Sequence, residues 1–328
     1  MKSKLLLLVV IIFTSIVVFS SVNAEAKYTI VGCVTFPKTH FFGMTADKFA
    51  ELVHKYYKGD VDIKIHYNSE LGSETDVFGY MTQGVSVDFG IITPGSITRW
   101  EKKAALLSAP FVFKDVDTWK KAIHSNALDK IKNTIEDKGV KIFGWEGGSF
   151  RNLILKNYMD EKTDTSNLKL RVQKSPLQQK VFTAIGFKPV PIVYQEVYNA
   201  LRTGVIDGLE NEPAGYRDMK FYEVAPYFVL SNHTIATWGF MFSKKTYGKL
   251  PPELQKAVAK AGAEAADYHT SLELGGYNSV IEDLAKNCGV KVVKFDNSIM
   301  RKKALPVIKE YAQELDVSDV LDAINSIK

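Results

Sequence analysis

The chain has 328 residues and a formal net charge of +5, with 46% hydrophobic and 24% charged residues. That length holds two α/β units with cores of their own. The charge is too mild for a nucleic-acid surface, and no dense basic run appears.

Met1-Lys2-Ser3-Lys4 precedes a nearly unbroken apolar run from Leu5 to Phe19, and Ser20-Ser21-Val22-Asn23-Ala24 follows it. A basic start, a short apolar run and a small-residue exit form a secretory signal peptide over 1–24, cleaved after Ala24. A membrane anchor is the rival reading, but a spanning helix needs about 20 apolar residues. A lipoprotein is the second rival, because Ile30-Val31-Gly32-Cys33 ends like a lipobox. Asn23, Glu25 and Lys27 separate that cysteine from the apolar run, and the same residues read as a first strand. The leader carries Lys2 and Lys4 and no acid, so its removal lowers the formal charge from +5 to +3.

Tyr28–Thr35 reads as a buried strand closed by Pro37. Phe42, Phe49, Leu52, Val53 and Tyr56 recur at helical spacing until Gly59-Asp60. Val61, Ile63, Ile65 and Tyr67 alternate as a strand with one covered face. A loop through Ser69–Glu74 leads to a helix ending near Gly84, and Val87–Ile92 is a third strand closed by Thr93-Pro94-Gly95. This β-α-β-α-β order predicts parallel strands with crossover helices, and ligands in such sheets bind at the strands' carboxyl ends. Glu74, Thr93 and Pro94 fall there. Helices are predicted over Asp115–His124 and Ala127–Lys138, then a strand over Val140–Trp145. Gly147-Gly148 marks the first crossing between two units.

The second unit opens with strands over Phe150–Lys156 and Leu168–Val172. Ser175-Pro176 starts a helix that Gly186 ends. Val190–Ile192 is a short strand, and the helix Gln195–Thr203 stops at Gly204. Val205–Leu209 is a strand that delivers Glu210 and Asn211. Ala225–His233 and Ala236–Phe242 read as strands returning the chain to the first unit. Pro251-Pro252-Glu253 opens a long alanine-rich helix to about Asn278. Cys288–Val293 is a strand, and two helices finish the chain.

Motifs for common chemistries are missing. The six histidines show no His-Glu-x-x-His spacing and the two cysteines no Cys-x-x-Cys, so a metal centre is not expected. No Gly-x-Ser-x-Gly elbow, P-loop or dinucleotide fingerprint occurs, and no cofactor is implied. Export permits Cys33 and Cys288 to pair, but the sequence leaves that open.

The segment from Trp145 to Asn211 is the most specific part. It reads W-E-G-G-S-F-R, then N-L-K-L-R-V-Q-K-S-P, then V-Y-Q-E-V-Y-N-A-L-R-T-G-V-I-D-G-L-E-N. Arg151, Arg171 and Asn211 each stand at a strand end or before a loop, where an arginine presents a planar fork to a carboxylate. Over Tyr28 to about Asp316 the chain resembles the DctP-type solute-binding proteins of TRAP transporters. The resemblance implies a two-lobed periplasmic-binding-protein-like α/β fold, each lobe a mostly parallel sheet flanked by helices, with a long helix spanning both. Lobe I would comprise 25–147 and 237–276, and lobe II 148–236 and 277–328. It implies that Arg171 grips a ligand carboxylate, that Arg151 helps from a neighbouring strand and that Asn211 completes the set. The family's Q-E-N reads Leu209-Glu210-Asn211 here, which puts the glutamine's role in doubt.

Four further residues carry two readings each. Tyr194 either packs at a helix end or lies over the ligand, as the family's aromatic does. Trp145 and Trp238 fall near strand ends, as core residues or as cleft walls. Glu74 either stabilises the helix it opens or accepts bonds from ligand hydroxyls. Thr93 offers one small hydroxyl. Together these predict a monomeric periplasmic receptor, not an enzyme, that takes an organic acid with a polar or ring-bearing body to a membrane permease. A receptor presenting its ligand to a membrane sensor, or a secreted α/β hydrolase or lyase, are the alternatives.

Overall fold

The computed structural model describes residues 28–327, so the expected signal peptide lies outside the described residues. In the first half run β1 (Tyr28–Cys33), α1 (Phe41–Tyr56), β2 (Val61–His66), α2 (Glu74–Gln83), β3 (Phe89–Ile92), α3 (Val116–Ile123), α4 (Asp129–Glu136) and β4 (Val140–Leu155). Then come β5 (Lys169–Val172), α5 (Pro176–Ile185), β6 (Lys188–Pro191), α6 (Val197–Arg202), β7 (Gly208–Asn211), α7 (Pro213–Asp218) and β8 (Tyr227–Ser243). The chain ends with α8 (Lys244–Tyr247), α9 (Pro252–Asn287), β9 (Lys291–Lys294), α10 (Ser298–Glu314) and α11 (Ser318–Asn325).

Local chemistry accounts for the boundaries. Ser73 caps α2 in a capping box with Asp76, and Gly84 closes it in the left-handed region at φ 67°. Ser175 caps α5, with Pro176 in its first turn. The helix α9 runs to Asn287, nine residues past the expected end. Gly275 and Gly276 do not break it; the stop comes at Gly289, with φ 69°.

The sheet departs from the expected pair of sheets. Nine strands form one continuous sheet in the order β2-β1-β3-β8-β4-β7-β5-β6, with β9 beside β8. The two ends are largely parallel: β1 lies parallel to β2 and β3, and β5 to β6 and β7. Between them β4 and β8 run antiparallel to each other. The strands expected separately over Val140–Trp145 and Phe150–Lys156 are one strand of 16 residues. Those expected over Ala225–His233 and Ala236–Phe242 are one of 17. Gly147-Gly148 interrupts register without ending the strand, as a bulge between Gly147 and Phe150. Pairing resumes on both sides of the bulge, Gly147 with Thr237 and Phe150 with Ile235, so neither strand stops.

Both sheet faces are covered. One core gathers α1 and α9 over Ile30, Phe89, Trp238 and Phe240. A second unites α2, α3 and α5 with α10, and a third lies under α6, α7 and the end of α9. The helix α9 touches α1 and β4 near one end of the molecule, and α7 and β9 near the other. Gly262 lets Phe143 approach it closely, since a Cβ there would stand 2.6 Å from the ring. Cys33 is buried, Cys288 is half-buried, and both are free thiols. Among the described residues no helix is long and apolar enough to cross a membrane.

The glycine bulge yields a stability prediction. Gly147 has φ 122°, and a Cβ there would lie 2.3 Å from the Ala236 carbonyl oxygen, a backbone atom that cannot swing aside. Gly147→Ala is expected to cost at least about 2 kcal/mol, read as a lowered urea midpoint at unchanged slope.

Candidate functional site

A cavity opens where the two ends of the sheet face each other, with an empty volume of about 640 Å³, open solvent at its mouth included. Glu74 and Thr93 line it from the β1–β3 end, and Arg171, Tyr194 and Asn211 from the β5–β7 end. Arg151 and Trp238 reach it from the crossing strands. The two ends touch around it. The Thr98 hydroxyl donates to the Lys174 carbonyl at 2.9 Å, and Gln195 Nε2 donates to Ser69 Oγ at 2.6 Å. The rings of Phe36 and Tyr194 meet edge to face at 5.4 Å.

The two arginines differ sharply. Arg151 is neutralised from within. Its Nε donates to Glu210 Oε2 at 2.5 Å and its NH1 to Glu212 Oε2 at 2.7 Å. Its NH2 reaches the Glu210 carbonyl oxygen at 2.9 Å and Oε1 at 3.0 Å. Burial raises the Glu210 carboxyl, but Arg151 and His233 outweigh it and hold it down at about 2. Arg171 makes one such bond, from Nε to the Ile192 carbonyl at 2.9 Å. No carboxylate among the described residues pairs with it. It is 3% exposed, and burial lowers its pKa to about 10 although Glu210, Tyr194 and Glu74 favour the charge. A buried guanidinium in that condition lacks an anion.

The remaining predicted residues fall into place around it. Tyr194 carries the Arg171 guanidinium 5.4 Å from its ring centre, and its hydroxyl accepts from Asn211 Nδ2 at 2.6 Å. Glu74 is not the cap of α2, a role that Ser73 and Asp76 fill. It accepts from the Thr93 backbone N–H at 2.9 Å and from the Thr35 hydroxyl at 3.2 Å, on the cavity wall. Trp238 forms part of the wall and stacks on His269 at 5.3 Å.

Trp145 does not reach the cavity. Residues alternate sides along a strand, and Glu146, not Trp145, stands opposite Trp238 in the β4/β8 register. Trp145 therefore points to the other face and packs in the core with Ile142 and Met241. Its neighbour on the cavity side was not singled out from the sequence. Glu146 and Glu273 flank a fully buried His269 at 3.4 and 3.5 Å, and Ser149 donates to Glu273. These are ion-pair distances rather than well-formed hydrogen bonds. Sequence reading also passed over Glu212, Gln173, Thr35 and Phe36, all on the cavity wall. Glu210 and Glu212 had a visible signal: acids two apart at a strand end share one face, within reach of one arginine.

The chain's relatives explain the arrangement. A model of bacterial extracellular solute-binding proteins, family 7 (DctP), matches residues 32–314. The chain belongs to this family. A TRAP periplasmic solute-binding protein from Sulfitobacter sp. NAS-14.1, solved with bound α-D-taluronate, is 36% identical and superposes with a TM-score of 0.88, covering 90% of this chain and 97% of that one. A family member from Chromohalobacter salexigens with bound D-glucuronate is 26% identical, with a TM-score of 0.85 over 91% of this chain and all of the other. The 2,3-diketo-L-gulonate-binding periplasmic protein YiaO of Escherichia coli is 26% identical over 87% of this chain and 86% of its own. Family 7 proteins are solute receptors, which agrees with the receptor reading of the sequence.

The buried histidine gives the second prediction. Burial lowers His269, but Glu146 and Glu273 outweigh it and lift it to about 9. A folded value above the unfolded one, about 6.5, means stabilisation complete below pH 6.5 and lost as pH rises through 9. Urea unfolding should show up to about 3 kcal/mol lost over that window. His269→Gln should flatten this alkaline limb.

Proposed function

We propose that this protein is a periplasmic receptor for a sugar acid, held by its carboxylate on Arg171 and passed to the membrane subunits of a TRAP-type permease. The observation that carries the reading is the contrast between the arginines. Arg151 is occupied by Glu210 and Glu212, while Arg171 is buried in the cavity with no carboxylate among the described residues paired to it. A ligand carboxylate there would gain a charge-assisted, two-bond pairing with a buried guanidinium. Arg151 then acts on the ligand at one remove, by fixing the strand end that carries Asn211. Asn211 and Tyr194, already bonded to each other, would border the carboxylate.

The body of the ligand would face Glu74, Thr93, Thr35 and Gln173. Glu74 rewards hydroxyl donors and repels a second carboxylate, which favours a hydroxylated monocarboxylate over a short dicarboxylate. Trp238 and Tyr194 supply flat faces for a ring. The sugar acids bound by the Sulfitobacter and Chromohalobacter relatives have this chemistry. Entry and release would come from rotation of the two sheet ends about the β4/β8 crossing, the lobes being 25–147 with 237–276 and 148–236 with 277–328.

A thermal-shift screen of uronates, aldonates and dicarboxylates tests the ligand class. An acid at 100 times its Kd adds about 2.7 kcal/mol. Stabilisation by succinate alone, with none from any sugar acid, would sink the assignment. The arginines should separate by mutation. Arg171→Ala should fold and lose about 2–5 kcal/mol of affinity by calorimetry. Arg151→Ala should lose about 3–5 kcal/mol of folding stability instead, because it leaves two carboxylates buried without their cation.

A further inference from the structure

Glu212 has only a structural task in the reading above, as a partner of Arg151. It shares Arg151 with Glu210, so one guanidinium serves two buried carboxylates. Its Oε2 takes Arg151 NH1, while its Oε1 is sealed from solvent with no hydrogen-bond partner. That oxygen sits in a tight corner at the start of α7. A Cβ built on Gly215 would stand 2.3 Å from it, 2.8 Å from Asn211 Nδ2 and 3.0 Å from the Tyr194 hydroxyl. These are the residues that border the proposed carboxylate position, and Glu212 itself forms part of the cavity wall.

The charges around this corner do not balance. Facing Glu212 are Arg151 from β4, Glu210 from β7, Glu273 from α9 and Tyr194 from the turn before α6. His269 lies between Glu273 and Glu146, which leaves that group with one negative charge in excess. Arg171 on β5 and Glu74 on α2 complete the cavity. An anion placed on Arg171 adds a negative charge to a buried set already rich in carboxylates. A carboxylate with one unpaired oxygen, in contact with the site, is the member for which neutralisation costs least.

We infer that Glu212 is a ligand-linked proton site: the receptor takes a proton from solvent onto the Glu212 carboxylate as it takes an organic anion onto Arg171. The inference rests on the carboxylate-receptor reading. Burial pushes Glu212 up to about 7 against the pull of Arg151, with Glu273 and Glu210 adding to the rise. The free protein is then part-protonated near neutral pH. A bound anion raises Glu212 further, so binding takes up protons and tightens as pH falls from 9 towards 7. The depressed Arg171, at about 10, titrates above this window.

The test is calorimetry of the mature protein with D-glucuronate and D-taluronate, at pH 8 in phosphate and in Tris, whose ionisation enthalpies differ. The expected result is uptake of about half to one proton per uronate bound, and a Kd that weakens about five- to twentyfold from pH 7 to pH 9. Glu212→Gln, neutral at every pH, should abolish the uptake, flatten the pH dependence and bind tighter than the parent at pH 9. Saturable binding without proton uptake in the parent overturns the inference, as does uptake that persists in E212Q. If E212Q fails to fold, infrared difference spectra of the parent decide. A protonated-carboxyl band gained on binding supports the inference, and its absence defeats it. Binding of neither uronate at any pH overturns the carboxylate reading itself, which separates the two failures.

Discussion

A guanidinium buried between two carboxylates is the contact on which the site depends. Arg151 ties β4 to Glu210 and Glu212 at the end of β7 with four hydrogen bonds. Removing two charges of one sign from water is tolerable only because the third meets both at close range. The consequence reaches the neighbouring strand. With the acids committed to Arg151, Arg171 is left without a carboxylate partner among the described residues. The proposed anion site is made by withholding a partner as much as by supplying a cation. The same residues fix the chain direction that carries Asn211 to the Tyr194 hydroxyl.

The second constraint is the pairing of β4 with β8. These strands serve both ends of the sheet, so the cavity is built from two halves that share one hydrogen-bonded ladder. Buried beside it, His269, Glu146, Glu273 and Ser149 join α9 to the bulge at Gly147-Gly148. Trp238 lies between that group and the cavity, with its ring stacked on His269. The crossing is thus backed by charge as well as by backbone pairing, an unusual amount of polarity for an interior. Its cost is bearable because each charged group has an opposite within 3.5 Å.

Sequence patterns revealed much of this and failed in specific ways. Helix and strand periodicity located most elements, because amphipathic helices and alternating strands bury one face each. The glycine pair was misread as a strand end, since local rules cannot see that a partner strand supplies the missing bonds. For the same reason, one sheet was read as two. The place of Arg171 on the cavity wall was legible through the resemblance carried by Leu-Lys-Leu-Arg-Val before Ser-Pro. Arg151 was legible as a site residue, but its commitment to Glu210 and Glu212 was not, because pairing between β4 and β7 joins residues about sixty apart. Trp145 and Trp238 looked alike in sequence. Only register assigned one to the core and the other to the cavity wall. Glu74 stands on the cavity wall, while Ser73 and Asp76 cap α2 between themselves.

The β4/β8 ladder also restricts how the cleft can move. Sliding one strand by a single residue would turn every side chain on it to the opposite face. Such a slip would bring Trp145 to the ligand side and bury Glu146 in apolar core. Both strands run through both halves, so the two halves share one register, and bending across the ladder leaves its pairs intact. In the proposed closure the halves would part as the covers of a book do, about a spine whose stitching stays in register. Arg171 and Glu74, on opposite pages, would then return to the same facing positions on closing.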